Sequence, residues 1–163
     1  MTYRVCFVCT GNICRSPMAE AVFRARVAEA GLDDLIEADS AGTDGWHEGE
    51  GADPRTLAVL EDHGYALDHT ARRFRPSWFA RLDLVVALDA GHLRSLRRLA
   101  PTPRDAAKVR LLRSYDPAAG VDLDVPDPYY GGADGFAECL EMVEAASGGL
   151  LAAVREHVEG QAA

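Results

Sequence analysis

Short apolar runs alternate along the chain with longer stretches in which apolar positions recur every three or four residues. Tyr3 to Val8 is the first apolar run and predicts a strand. From Pro17 to Ala30, Met18, Ala21, Val22, Ala25 and Ala28 fall at helical spacing, and Gly31 supplies a stop. Leu35 to Asp39 predicts a short second strand. Asp53-Pro54 puts a capping side chain and a proline at the start of a helix from Arg55 to His63, ended by Gly64. After an irregular segment, Pro76 to Arg81 predicts a short helix. Within Asp83 to Leu88, the residues Leu84-Val85-Val86-Ala87-Leu88 are apolar without alternation, the pattern of a strand buried on both faces of a parallel sheet. Ala90 to Leu99 reads as a helix bounded by Pro101 and Pro103, and Lys108 to Leu112 as a fourth strand. A long loop to Gly132 then leads to a closing helix from Asp134 to Val158.

The order βαβαβαβα predicts an α/β fold, a parallel sheet with helices on both sides and right-handed crossovers. No repeat or linker interrupts it, so one domain over residues 1–163 is expected. In open α/β sheets ligands bind beyond the carboxyl ends of the strands. That brings together four segments: Cys9 to Ser16, Ser40 to Gly51, Asp89, and Ser114 to Gly132. Asp127 can thereby reach the first loop from more than a hundred residues away in sequence.

The first of these segments carries chemistry. In Val8-Cys9-Thr10-Gly11-Asn12-Ile13-Cys14-Arg15-Ser16-Pro17 a strand ends in a Gly-Asn turn and passes into a helix. Successive backbone N–H groups without helical partners then point into one concavity, an anion nest. Arg15 adds a planar fork matched to two phosphate oxygens, and the same positive field favours a thiolate at Cys9, to which Ser16 can donate a hydrogen bond. On a phosphate ester, Cys9 would attack phosphorus while Arg15 and the N–H groups of Thr10 to Arg15 stabilise the equatorial oxygens. Asp127 is the candidate acid for the leaving oxygen. An Asp-Pro pair is also an ordinary turn, as at Asp53-Pro54 and Asp116-Pro117, but only Asp127-Pro128 is followed by two tyrosines.

The segment Cys9 to Ser16, together with Asp127-Pro128-Tyr129-Tyr130, resembles the low-molecular-weight protein tyrosine phosphatases, the actinobacterial members in particular. The resemblance covers nearly the whole chain. It implies a three-layer sandwich around a four-stranded parallel sheet, the flavodoxin-like phosphatase I fold. It also implies hydrolysis of phosphotyrosine and aryl phosphates through a cysteinyl-phosphate, with no metal and no cofactor. Cys9, Arg15 and Asp127 would be catalytic. Thr10, Gly11, Asn12, Ile13, Cys14 and Ser16 would surround the phosphate, and Trp46, Tyr129 and Tyr130 would wall a slot for a flat ring. Asn12, Ser16, Ser40 and His69 resemble residues that brace the loop; from the sequence alone His69 could equally be a surface histidine. Two alternatives stand beside this reading. A thioredoxin-coupled arsenate reductase of the same fold needs a further cysteine pair near the third strand, and none lies between Ala80 and Ala100; Cys139 is the only later cysteine. A phosphotyrosine-binding module without turnover is opposed by the joint presence of Cys9, Arg15 and Asp127.

Composition narrows the setting. No apolar run approaches the ~20 residues of a membrane span, and the first residues do not read as a signal peptide, so a cytoplasmic protein off the membrane is expected. The net charge of −9 argues against a nucleic-acid partner. The expected partners are phosphotyrosine proteins and small aryl phosphates, with the chain a monomer. Charge is uneven: residues 71–113 hold eleven basic and three acidic side chains, residues 114–163 one and ten. The basic stretch is either a solvated face or a docking surface for acidic proteins. The four cysteines, 6, 9, 14 and 139, fit neither a disulfide framework nor a zinc site. Cys14 shares the loop with Cys9, which raises the expectation of a reversible Cys9–Cys14 disulfide under peroxide.

Overall fold

The computed structural model describes residues 2–162. Its core is a four-stranded parallel sheet in the order β2-β1-β3-β4, built from β1 (Tyr3–Cys9), β2 (Ile36–Gly42), β3 (Leu84–Ala87) and β4 (Val109–Leu111). The helices are α1 (Arg15–Glu29), α2 (Pro54–Asp62), α3 (Ala90–Leu99), the single-turn α4 (Pro103–Ala106) and α5 (Ala133–Ala162), with 3₁₀ turns at Pro76–Ala80 and Leu112–Tyr115.

Both faces of the sheet are buried, as the unbroken apolar run of β3 requires. Val5, Phe7 and Cys9 of β1 join a core with Met18, Val22 and Phe23 of α1, Leu60 of α2 and Leu140, Val143 and Leu150 of α5. The alternate residues Cys6 and Val8 face Phe74, Phe79 and, from α3, Leu96. Phe7 and Phe23 meet edge to face at 5.5 Å between ring centroids. Truncating a phenylalanine buried this fully costs ~3–5 kcal/mol. Gly31 and Gly64 end α1 and α2 with φ of 70° and 83°, the left-handed conformation that a side chain disfavours.

The boundaries differ from expectation where pairing or capping outlasts the apolar pattern. α1 begins at Arg15, two residues before Pro17. β2 continues through Ser40, Ala41 and Gly42, which pair with Phe7, Val8 and Cys9, so Ser40 lies on a strand and the loop begins after Gly42. α4 was unmarked; Thr102 caps it by accepting from Asp105 N at 3.1 Å. α5 runs past Val158 to Ala162. Within it, Gly149 packs on the backbone of Tyr115 so closely that a β-carbon would overlap the Tyr115 carbonyl.

The outer side of β2 is occupied by the chain itself. Arg24 Nε donates to Ala38 O and Arg72 Nε to Ser40 O, each at 3.0 Å. The Gly42 N–H donates to Arg72 O and its carbonyl accepts from Phe74 N, both at 2.8 Å, while Ile36 N donates to Leu32 O. These bonds fasten the 72–74 segment beside the end of β2, next to the loop that follows Cys9.

Candidate functional site

The loop from Cys9 to Ser16 leaves β1 at the carboxyl end of the sheet. Gly42 beside it has no room for a side chain: a β-carbon there would stand 2.6 Å from Thr10 O. Thr43 N and Asp44 N go on donating to Cys9 O and Thr10 O at 2.8 and 3.1 Å, which carries the strand pairing into the loop. Asn12 takes φ of 58°, the one non-glycine residue with positive φ among those described. Among the described residues no backbone carbonyl accepts from the N–H of Gly11, Asn12, Ile13 or Cys14, so the loop carries consecutive amides without backbone partners. Such a row of free donors at the start of α1 is built for an anion.

A buried network fixes the turn from beneath. Asn12 Nδ2 donates to Ser16 Oγ at 2.8 Å and to Ser40 Oγ at 3.0 Å, while Asn12 Oδ1 accepts from Arg72 N at 3.0 Å, which sets the amide's orientation. Ser40 Oγ in turn donates a hydrogen bond to Glu20 Oε1 at 2.8 Å. Burial raises the Glu20 carboxyl above its ordinary value against the opposing Ser40 bond and Arg24 charge. Ser16 Oγ accepts from Asn12 and lies 3.0 Å from Cys9 Sγ and 3.4 Å from Ala41 O, so its hydroxyl proton has the sulfur as the nearer of two acceptors. His69 Nε2 lies 2.6 Å from Asn12 O, and since a carbonyl only accepts, Nε2 carries the proton. Asn12 and Ser16 are wholly buried. Their side chains therefore brace the loop from beneath, while the backbone N–H of Asn12 stays among the loop donors without a backbone partner.

Arg15 is 3% exposed. Its Nη1 donates to Asp89 Oδ2 and to Val125 O, both at 2.9 Å, which spends that nitrogen and leaves Nε and Nη2 for a ligand. Asp89 also caps α3, Oδ1 accepting from His92 N at 2.9 Å. Burial raises the Asp89 carboxyl, but the His92 backbone bond, the charge of His92 and the Arg15 bond outweigh it and hold the group below its usual range. His92 is itself buried, shares a 2.8 Å hydrogen bond with Thr10 Oγ1, and its proton affinity falls to about 4 through burial and the Arg15 charge. Thr10 and Arg15, the two ends of the loop, are thus both gripped from the first turn of α3. Asp124 joins the same turn by accepting from Ala90 N at 2.8 Å.

Above the loop lies a cavity of about 330 Å³ lined by Cys9, Thr10, Gly11, Ile13, Cys14 and Arg15, and at its sides by Asp44, Trp46, His47, Asp127, Tyr129 and Tyr130. Asp127 stands at its mouth, Oδ1 accepting from Tyr129 N at 3.0 Å and Oδ2 3.7 Å from Arg15 Nη2. Tyr129 is half-buried and forms a wall. Tyr130 and Trp46 are 92% and 86% exposed, so they rim the opening instead of enclosing it. Burial and the charges of Asp53 and Cys9 push the Cys14 thiol up to about 12.

No sequence pattern marked His47, which is held by Glu50 (Nδ1 to Oε2, 2.8 Å) and packed over Gly11. Nor did one mark His92 or Glu20, although a glutamate between Ala19 and Ala21 on an apolar helix is a signal for a buried partner. In the basic stretch, Arg72 pairs with Asp39, Arg75 with Glu48 and Lys108 with Asp105, and Arg113 donates to the carbonyls of Asp122 and Asp124.

The model of the low molecular weight phosphotyrosine protein phosphatase family matches residues 4–160. The chain is 86% identical, over the full length of both, to a low molecular weight protein-tyrosine-phosphatase of Streptomyces coelicolor. It is 50% identical to low molecular weight protein-tyrosine phosphatase A of Mycobacterium tuberculosis, over 90% of this chain and 88% of that one. A crystal structure of a protein tyrosine phosphatase from Entamoeba histolytica superposes with a TM-score of 0.91 at 34% identity, over 96% of this chain and 99% of that chain.

Proposed function

The chain belongs to the low molecular weight phosphotyrosine protein phosphatase family and is a protein-tyrosine phosphatase, and we propose that Cys9 is its nucleophile, Arg15 its phosphate clamp and Asp127 its general acid and base. The observation that supports these roles is the convergence of all three on one cavity, with the free amides of the loop at its floor. The phosphate oxygens take the loop N–H groups together with Nε and Nη2 of Arg15, and this directs phosphorus at Cys9 Sγ. The sulfur–phosphorus bond forms as the phosphorus–oxygen bond breaks, and Asp127 hands its proton to the departing phenolate. Asp127, now ionised, takes a proton from water as that water attacks the cysteinyl-phosphate, releasing inorganic phosphate and the thiolate. Ser16 holds the sulfur in place in both steps. Charge moves onto the equatorial oxygens within a ring of fixed donors, which need no reorganisation at the moment of reaction.

Ile13 and Tyr129 offer apolar surface to a phenyl ring, which suits a phosphate carried at the end of an aromatic side chain. The enzyme acts as one catalytic domain and as a monomer: outside the pocket rim the exposed large apolar side chains, Leu35, Leu57, Leu99 and Val121, are scattered over separate elements. Four free, buried cysteines suit the reducing cytoplasm.

The test is hydrolysis of p-nitrophenyl phosphate and of phosphotyrosine peptides by the purified chain in EDTA, with vanadate as competitor and Cys9→Ser as the control. Metal-free turnover that Cys9→Ser abolishes is the expected result. Undiminished turnover in Cys9→Ser, or loss of activity in EDTA, would overturn the assignment.

A further inference from the structure

Arg55, at the start of α2, lies outside the cavity yet touches its wall. Asp53 holds its guanidinium in a fork, Nε to Oδ1 at 3.0 Å and Nη2 to Oδ2 at 2.9 Å. The guanidinium carbon stands 4.5 Å from the ring centroid of Phe136, in the second turn of α5, and 5.3 Å from that of Tyr129. Asp53 is tied to the phosphate loop as well, its backbone N–H donating to Ile13 O at 2.8 Å. Tyr129 in turn donates its backbone N–H to Asp127 Oδ1. A continuous path therefore runs from the floor of the cavity through Asp53 and Arg55 to the wall and to the acid.

We propose that Arg55 is a positioning residue: clamped by Asp53 and stacked on Phe136, it fixes the Tyr129 ring relative to the phosphate loop and through the Tyr129 backbone sets the place of Asp127. The inference rests on the roles assigned above. The loop backbone is anchored at the buried Val125 and Pro128, but the side chains of Asp127 and Tyr129 reach away from these anchors and gain from a further fixture. Asp127 is an exposed side chain, held by one bond to a neighbouring amide and by an arginine 3.7 Å away. The outer neighbour of Tyr129 is Tyr130, a ring 5.0 Å away that is itself exposed. Phe136 is 1% exposed and belongs to the core. Tyr129 also packs at the edge of the apolar core and meets the His47 ring at 6.3 Å, and to these Arg55 adds a charged contact that is clamped by Asp53 and stacked on Phe136. A lysine would keep the charge but lose both the fork to Asp53 and the flat face that stacks on two rings.

The test is a double-mutant cycle on kcat/KM for phenyl phosphate, with Arg55→Ala, Tyr129→Ala and the pair, each checked by its melting temperature. A cation–π contact at an exposed arginine predicts a loss of about two- to fivefold for Arg55→Ala. If Arg55 works through Tyr129, the pair loses no more than Tyr129→Ala alone. Arg55→Lys should fail to restore the rate, and the loss should be larger for phenyl phosphate than for p-nitrophenyl phosphate, whose leaving group needs less help from Asp127. Losses that multiply in the double variant, or full rescue by lysine, would overturn the inference. Arg55→Gln, which keeps the stem and a polar head, serves the same cycle if the alanine variant does not fold. Because Cys9→Ser is assayed in parallel, failure of the cycle in an enzyme that still depends on Cys9 separates this inference from the catalytic assignment beneath it.

Discussion

His92 gives the fold an acid-sensitive point directly behind the phosphate loop. It is 4% exposed, bonded to Thr10, and faces the cation of Arg15 together with the carboxylates of Asp89, Asp124 and Asp127. Burial and Arg15 outweigh the three carboxylates and bring its pKa to about 4, against about 6.5 for a histidine in an unfolded chain. The unfolded state therefore binds a proton that the folded state refuses, and stability falls as the pH drops from 6.5 towards 4, then levels off with respect to this group. Each pH unit in that window is worth about 1.4 kcal/mol, so the loss reaches roughly 2 kcal/mol at pH 5 and about 3 kcal/mol at pH 4. His92→Gln keeps an amide within reach of Thr10 but removes the titration. Urea unfolding of parent and variant, at half-unit steps from pH 7.5 to 4.5, should show their free-energy difference shifting by about 2 kcal/mol in the variant's favour by pH 5. Asp89, held below its usual range, stays ionised in this window and cancels from the comparison. A difference between the two proteins that stays constant with pH would show that His92 accepts its proton in the folded state without penalty, and the reasoning would fail.

Asp127→Asn should slow phenyl phosphate far more than p-nitrophenyl phosphate, by a factor within the ~10²–10⁴ of general acids; equal slowing of both esters would give Asp127 another role. Brief peroxide treatment should inactivate the enzyme through a Cys9–Cys14 disulfide that dithiothreitol reverses. The high proton affinity of Cys14 makes closure of that bond slower than oxidation of Cys9. Recovery by thiol as complete in Cys14→Ser as in the parent would remove Cys14 from the process.

Much of the architecture was legible because its signals are local. The unbroken run Leu84 to Leu88 marks a central strand whatever surrounds it, and Gly31 and Gly64 mark helix ends by a backbone requirement. Ser40 shows where local signals stop. Ser40-Ala41-Gly42 reads as the opening of a Gly-rich loop, yet these residues stay in β2 because Phe7, Val8 and Cys9 extend far enough to pair with them. The convergence of the first and last loops followed from strand order, so Cys9, Arg15 and Asp127 could be grouped before any coordinates. Trp46 and Tyr130 could not be divided into wall and rim, because exposure depends on how two distant loops meet. His92, Arg55 and Glu20 carry no motif. Each acts on a neighbour brought to it by the tertiary fold, His92 on Thr10, Arg55 on Tyr129 and Glu20 on Ser40.

An edge strand offers unpaired backbone groups on which a further strand can grow, the first step of sheet-to-sheet association. At β2 the carbonyls of Ala38 and Ser40 are already held by two guanidinium groups, and both backbone groups of Gly42 by the 72–74 segment. An incoming chain would have to displace cations as well as water to add itself there, and at the opposite edge β4 presents three residues, too short a template for lasting registry. Arg72 also donates its backbone N–H to Asn12, so the bonds that close this edge to polymerisation are continuous with those that shape the phosphate loop, and an encounter that opened the sheet would disarm the enzyme before it built an aggregate.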